Sequence, residues 1–534
     1  MRPSYARGPD RPLLEQTIDQ VVRDTAERFP DREAAISRHQ NRRLTWREFH
    51  AETECVARGL AGLGLRTQDR VGIWAGNCIE WLLLQVACSR ANLVLVNVNP
   101  AYRSHDLSYV LRKSQMRALF LRENDARANY REILEQTCVR PEHVVYLDHL
   151  SWDDMLAHGR DVTNTPAKCG DVINIQYTSG TTGSPKGVLL THHNLVNNAR
   201  LFVERIRLGE HDRCLLCLPL YHSGGCGVGA VSCYLSGAAI IMGSAQFDVL
   251  SVMEAIGQER VTVAGVVPTM LVAQLDHPEF SRFDFSSIRL VWCGGAPVPV
   301  TLMNRAGEQM GIRDLAVGYG QTESSPVITL SAKDDPEELR VGTIGCVMPN
   351  TEIKVISPCG EIVPVGEQGE ICTRGYLVMQ GYDQEPETTA RAIDSEGWLR
   401  TGDLGVMRPD GYFHITGRAK DVIIRGGENI YPREIEDFLI THPKISDVQV
   451  VGLPDAKLGE VVLAWIRVKP SESATETEIR EFCQGRIAHF KIPEFIRFVT
   501  EFPMTVTGKV QKYMIREVEI RERGLEEIAR LRTA

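Results

Sequence analysis

Four things are missing from this sequence, and each absence narrows what the chain can be. No run of about 18 uninterrupted apolar residues occurs, so no membrane span is expected. Residues 1–15 are polar and contain proline, without the apolar stretch of a secretory signal, which makes the cytoplasm the default compartment. There is no excess of positive charge. Lys and Arg number 60 against 69 Asp and Glu, a formal net charge of −9, which argues against nucleic acid as the main partner. A nucleotide is not excluded, because it needs only a few local donors. Finally, no second CxxC pair accompanies Cys214 and Cys217, which sit in an apolar run. Those two cysteines read as buried strand residues rather than a zinc or redox pair, and all 14 cysteines read as reduced thiols.

What is present is ordinary globular material, 43% hydrophobic and 24% charged. At 534 residues the chain is too long for one core, so at least two domains are expected. Short β-branched runs at 69–74, 93–98, 172–177, 261–267, 288–293 and 315–318 read as buried strands. Amphipathic stretches such as 17–28 and 46–63 lie between them, and this alternation predicts parallel sheets covered by helices. After about Pro349 the strands shorten (352–356, 369–373, 411–415) and Gly, Pro and Asp turns separate them, which suggests a small β-rich module. Beyond Arg418 follow a helix at 432–441, strands at 445–452, 460–468 and 494–499, and a Glu/Arg-rich amphipathic end. The fold expected is α/β: stacked α/β subdomains plus the β-rich module over 1–418, then a small mobile α+β domain over 419–534.

Residues 177–188 carry the most information. Gly180, Gly183 and Gly187 permit backbone conformations that bring N–H groups around an anion. Thr178, Ser179, Thr181, Thr182 and Ser184 add hydroxyl donors, and Lys186 adds a charge. The combination suits a polyphosphate. It is not a Walker A loop, in which Lys is followed by Ser or Thr and a helix. Here Gly187 and the apolar run 188–190 follow Lys186, so the pattern predicts strand–loop–strand, with a helix starting only after Thr191 as N-cap.

This segment resembles the signature of the adenylate-forming superfamily, and further resemblances follow in order along nearly the whole chain. Gly294, Gly295, Ala296 and Pro297 resemble the adenine segment. Gly318, Tyr319, Gly320, Gln321, Thr322 and Glu323 resemble the Mg-ATP segment. Asp403 falls in the ribose segment, and Arg418 and Lys420 fall at the family's hinge. Arg425, Gly426 and Gly427 resemble the loop after it, and Lys509 the catalytic lysine near the C-terminus.

The resemblance implies that a carboxylic acid attacks the α-phosphate of ATP to form an acyl-adenylate. Lys509 would bridge the two anions, Glu323 with Thr178 would hold Mg²⁺, and Tyr319 would stack on adenine. Asp403 would accept the ribose hydroxyls, with Arg418 beside it. The small domain would then rotate about Lys420 and bring Gly426 and Gly427 to a pantetheine arm, with Arg425 and Lys491 as candidates for the coenzyme A phosphates. His222, Gly225, Val267 and Gly320 would line the acyl pocket. His222 would act as a wall rather than a base, because the acid is already ionised at neutral pH.

The glycine-rich run 223–230 costs helix stability, which points either to a roomy pocket for a medium-chain, aryl or alicyclic acid or to close packing. Segments 97–103 and 502–509 look most like the fatty-acyl-CoA synthetase branch, so an acyl-CoA ligase is expected. The alternative is a stand-alone adenylation enzyme that loads a carrier-protein thiol. The partners expected are the acid, ATP and coenzyme A, and a homodimer is left open.

Overall fold

The computed structural model describes residues 2–178, 185–426, 428–470, 472–504 and 510–530. Its helices begin where polar caps precede apolar periodicity. Thr17, Thr45 and Thr191 each accept from the backbone N–H three residues on, and that third side chain bonds back, so three orphan helix ends are closed reciprocally. The helix Ile79–Arg90 is different, being buried on every side from Ile79 to Ser89. A helix without a polar face belongs inside a core, and this one lies between two sheets. One hydrophobic cluster takes residues from it and from strands of both sheets, among them Ile73, Leu95, Ile173, Val263, Leu290 and Ala316.

The first of these sheets has nine strands, and the six from Glu33–Ser37 to Asp314–Gly320 run parallel. Among them Val263–Val266, Leu290–Gly294 and Asp314–Gly320 are neighbours, with Gly294 opposite Gly318. The second sheet has seven strands. Its parallel part ends at Val172–Thr178, which then pairs antiparallel with Lys186–Thr191. That reversal is the strand–loop–strand read from residues 177–188, and the helix His192–Ile206 starts after Thr191 as expected. A two-residue strand, Gly381–Tyr382, pairs with Lys186–Thr191 and closes the edge. It is held there by Arg70, whose guanidinium donates to both oxygens of the buried Asp383 carboxylate at 2.8 Å.

A third, five-stranded antiparallel sheet gathers Thr351–Ile356, Gln368–Gly375, Leu399–Met407 and Phe413–Arg418. Tyr5–Arg7 adds to its edge from the other end of the chain, a pairing no local pattern announces. The fourth sheet lies wholly within 423–498, with Gly459–Val468 at its centre, antiparallel to Ile445–Asp455 and parallel to Phe495–Phe498. It has its own core around Ile435, Val450, Val462 and Ile479. The amphipathic end of the chain forms the helix Lys512–Glu522 and a second short helix, Glu526–Arg530.

Lys512–Glu522 is fastened to this fourth sheet through Glu519, only 1% exposed. Its carboxylate accepts from Trp465 Nε1 at 2.6 Å, Arg523 Nε at 2.6 Å and Arg497 at 3.1 Å. Burial alone would raise its pKa. The hydrogen bonds from Arg523, Trp465 and Arg497 outweigh it, and the net shift is downward. A carboxylate so depressed stabilises the fold above its unfolded pKa, and that contribution is lost as pH falls through the folded value. Replacing Glu519 by Gln is therefore expected to cost about 3 kcal/mol at neutral pH and to flatten the acid limb of stability. Urea midpoints measured from about pH 7 down to about pH 3 check this, and equal acid sensitivity in the two proteins would show that Glu519 is not the clamp.

Candidate functional site

Ligands of open α/β sheets gather beyond the carboxyl ends of the strands, and three such ends lie side by side in the first sheet. Val267 follows Val263–Val266, Gly295 follows Leu290–Gly294, and Gln321 to Ser324 follow Asp314–Gly320. Gly294 and Gly318 let these ends approach: a Cβ on Gly294 would stand 2.6 Å from the Gly318 carbonyl oxygen. Gly295 has φ +78°, the left-handed conformation that favours glycine. Its missing Cβ would lie 3.6 Å from Val267 Cγ1, so the adenine segment and the expected pocket residue adjoin.

The second sheet contributes the mouth of its hairpin. Thr178 and Lys186 are register partners there. Residues 179–184, which hold Ser179, Gly180, Thr181, Thr182 and Gly183, lie outside the described residues, as do Gly427 and Lys509. Lys186 Nζ sits over the ring of Tyr382, 5.0 Å from its centroid, a cation–π distance. The Tyr382 hydroxyl in turn donates to Glu323 Oε1 at 3.0 Å, and the Glu323 carbonyl accepts from Met379 N–H at 2.9 Å. Tyr382 thus touches both the expected phosphate lysine and the expected metal carboxylate. Burial first, then the Glu323 charge, pushes its phenol well above the ordinary value, so it is a neutral donor at physiological pH.

The third sheet supplies a second carboxylate built in the same way. Asp403 and Arg418 are cross-strand partners, with Arg418 Nε 2.9 Å from Asp403 Oδ1. Tyr319, from the first sheet, donates its hydroxyl to Asp403 Oδ2 at 2.9 Å. Burial and the Asp403 charge hold that phenol well above its ordinary range as well. Each of these two acidic side chains therefore has one oxygen fixed by a neutral tyrosine hydroxyl.

A site with one carboxylate, Glu323, and a hydroxyl, Thr178, at the facing hairpin has the donor set of Mg²⁺ held mainly by phosphates. Mg²⁺ prefers hard oxygen and takes only one or two carboxylates, filling the rest of its octahedron with phosphate oxygen and water. These residues fit that cation.

The expected acyl-pocket residue His222 lies beside Tyr221, ring centroids 4.5 Å apart and planes tilted by 48°, just before a π-helical turn at Gly224–Val231. The glycines there divide into two kinds. A Cβ on Gly225 would fall 2.1 Å from the Pro219 carbonyl oxygen, and one on Gly320 1.7 Å from that of Pro326, so backbone packing demands both. At Gly224 and Gly227 an added Cβ would make ordinary van der Waals contacts, 3.7 Å from Leu218 Cδ1 and 3.5 Å from Leu195 Cδ2. Beneath the turn lies a small apolar cavity of about 20 Å³ bounded by Phe202, Leu216, Val228, Gly265 and Trp292.

Lys420 is exposed in the turn Ala419–Asp421, immediately after the last strand of the third sheet. Gly426 has φ +59° and donates to Leu458 O at 2.6 Å. Arg425 donates to Phe490 O at 2.8 Å and pairs with Glu494 at 2.9 Å, and Lys491 pairs with Glu434 at 2.5 Å. Both of these cations are thus engaged within the fourth sheet's own unit. Met504 and Val510 bridge antiparallel, and Gln511 N–H donates to Pro503 O at 2.8 Å.

Sequence reading missed Tyr382 and the Arg70–Asp383 pair. Tyr382 stands 59 positions from Glu323, and only the pairing of Gly381–Tyr382 with the hairpin brings them together.

Residues 22–383 match the family of AMP-binding enzymes, and residues 434–509 match the AMP-binding enzyme C-terminal domain. The chain is 42% identical to a protein named putative acyl-CoA synthetase YngI of Bacillus subtilis, over 95% of this chain and 98% of that one. It is 40% identical to the mitochondrial medium-chain acyl-CoA ligase ACSF2 of Mus musculus, covering 96% of this chain and 89% of the relative. The crystal structure of ATP-bound MatB from Rhodopseudomonas palustris superposes with a TM-score of 0.85 at 28% identity, over 95% of this chain and 99% of that chain. Matched in order by both models, and shared over nearly its whole length with these relatives, the chain belongs to the AMP-binding enzyme family.

Proposed function

We propose that this protein is an ATP-dependent acyl-CoA ligase acting on a medium-chain fatty, aryl or alicyclic carboxylic acid. The observation that carries the reading is that Tyr382 touches both Lys186 and Glu323, while Tyr319, on the strand leading into Glu323, holds Asp403 of the third sheet. The family membership supports the adenylation chemistry, and the medium-chain acid named for the ACSF2 relative supports the substrate class. Gly224 and Gly227, where no close backbone contact demands glycine, are where the acyl chain would pass the π-helical turn.

A carboxylate is a poor acyl donor because its leaving group would be oxide. In the proposed first step its oxygen attacks the α-phosphorus of ATP, the α–β phosphoanhydride bond breaks, and pyrophosphate leaves. The acyl group then carries AMP, a good leaving group. Two anions must meet for this, so fixed positive charge and donors dominate the catalysis. Lys186 and the hairpin steady the pyrophosphate and Lys509 bridges carboxylate and α-phosphate; Glu323 and Thr178 would hold Mg²⁺, which would supply further charge neutralisation. Asp403 accepts the ribose hydroxyls, and Tyr319 lies against the adenine. In the second step the unit beyond residue 418, turning about Lys420, replaces Lys509 by the Gly426–Gly427 loop. A coenzyme A thiol adds to the acyl carbonyl and AMP leaves with the electron pair.

Incubating the protein with ATP, Mg²⁺ and a panel of carboxylic acids, with and without coenzyme A, tests the reading. Pyrophosphate release should depend on the acid, and AMP release should turn over only with coenzyme A. Acid-dependent pyrophosphate without any response to coenzyme A would point to a carrier-protein acceptor instead, and turnover confined to acetate and propionate would sink the medium-chain assignment. Lys509→Ala is expected to abolish acyl-adenylate formation while a presynthesised acyl-adenylate is still converted to thioester. Equal loss of both steps contradicts the domain rotation. Asp403→Ala should weaken ATP binding by about 2 kcal/mol, roughly thirtyfold, as loss of hydrogen bonds to a charged acceptor does; calorimetric titration with ATP measures it.

A further inference from the structure

Lys186, assigned above to phosphate, stands on the second sheet's hairpin and Glu323, assigned to Mg²⁺, in the turn Thr322–Ser324 after the first sheet, and Tyr382 is in contact with both. Tyr382 places its ring under Lys186 Nζ at 5.0 Å and its hydroxyl on Glu323 Oε1 at 3.0 Å. Its backbone cannot drift. Gly381 and Tyr382 are in register with Leu189 and Val188, Tyr382 N–H donates to Thr389 Oγ1 at 2.9 Å, and the next residue, Asp383, donates its N–H to Gly187 O at 2.7 Å. The Asp383 carboxylate is gripped at both oxygens by Arg70. A phenol pinned on either side can position what it touches, whereas a phenol on a free loop would only follow it.

We propose that Tyr382 is a positioning residue for the metal–phosphate half of the site: its hydroxyl occupies one oxygen of Glu323, so that the carboxylate offers Mg²⁺ a single oxygen, while its ring seats the Lys186 ammonium beside the phosphates. The geometry suits the cation. Mg²⁺ demands near-ideal octahedral ligation and keeps most of its shell as phosphate oxygen and water. A carboxylate free to chelate through both oxygens would take two of those places at too narrow an angle. A hydrogen bond to one oxygen prevents that without neutralising the charge, the kind of outer-shell contact whose loss costs metal sites affinity. The ring's role is separate. The ammonium is drawn to its negative face, which holds a long, flexible side chain in one place before ATP arrives.

This inference rests on the adenylation reading, and the test separates the two. ATP binding is measured by calorimetry on the full chain without any acid, first in EDTA and then across a Mg²⁺ series, for wild type, Tyr382→Phe and Tyr382→Leu. Melting curves show whether each variant is folded. Tyr382→Phe keeps the ring and loses the hydroxyl: affinity in EDTA should match wild type, while the Mg²⁺ needed for half-maximal tightening rises about tenfold. Tyr382→Leu should show that loss and also weaker binding in EDTA, because Lys186 has lost its seat. Wild-type Mg²⁺ dependence in Tyr382→Phe overturns the positioning of Glu323, and unchanged EDTA affinity in Tyr382→Leu overturns the seating of Lys186. A wild-type protein whose ATP affinity ignores Mg²⁺ overturns the adenylation reading itself, and this inference with it.

Discussion

The helix Ile79–Arg90 is buried over almost its full length and packs against strands of two sheets at once. Apolar on all sides, it has no stable position except between them. Interiors are close-packed and resist sliding, so a helix gripped from both sides sets how the two sheets stand to one another. Every distance in the candidate site that crosses from one sheet to the other depends on that. Lys186 and Thr178 come from one sheet, and Glu323 and Tyr319 from the other. Shifting the sheets by even an ångström would separate Tyr382 from Glu323, since a hydrogen bond at 3.0 Å tolerates little lengthening.

Within that frame the site is built by repeating one device. Glu323 and Asp403 are each met by a tyrosine hydroxyl from a different sheet from their own. A neutral donor fixes the orientation of a carboxylate without cancelling its charge, which an arginine alone would partly do. Asp403 has an arginine as well, Arg418, on the neighbouring strand. The difference suits the proposed partners, because ribose hydroxyls need an oriented acceptor whereas a divalent cation needs the full charge.

The C-terminal unit is organised separately, around its own core and the Glu519 clamp. Arg425 and Lys491 are held by acidic residues of that same unit rather than by the rest of the chain. The proposed rotation would turn this body, which has its own core, about the short turn Ala419–Asp421 without unfolding it.

Local chemistry determined much of this protein. Parallel strands buried on both faces must be β-branched runs, and all six expected ones are strands within two or three residues of their expected ends. The glycines and lysine of residues 177–188, followed by an apolar run, could only continue as a strand, and Thr191 could only be a cap. The site segments were legible because each is a short contiguous motif. Tertiary structure alone decided the rest. Arg70 and Asp383 are 313 positions apart, and nothing in either neighbourhood marks them as partners. Tyr5–Arg7 becomes a strand only because Thr351–Ile356 offers it an edge. Gly225 read either as pocket room or as close packing, and the Pro219 carbonyl, 2.1 Å from where a Cβ would stand, decides for packing. Periodicity and propensity act over a few residues. Which distant side chains share a hydrogen bond, and which glycine yields to a neighbour's backbone, is settled only when the packed sheets bring them within reach.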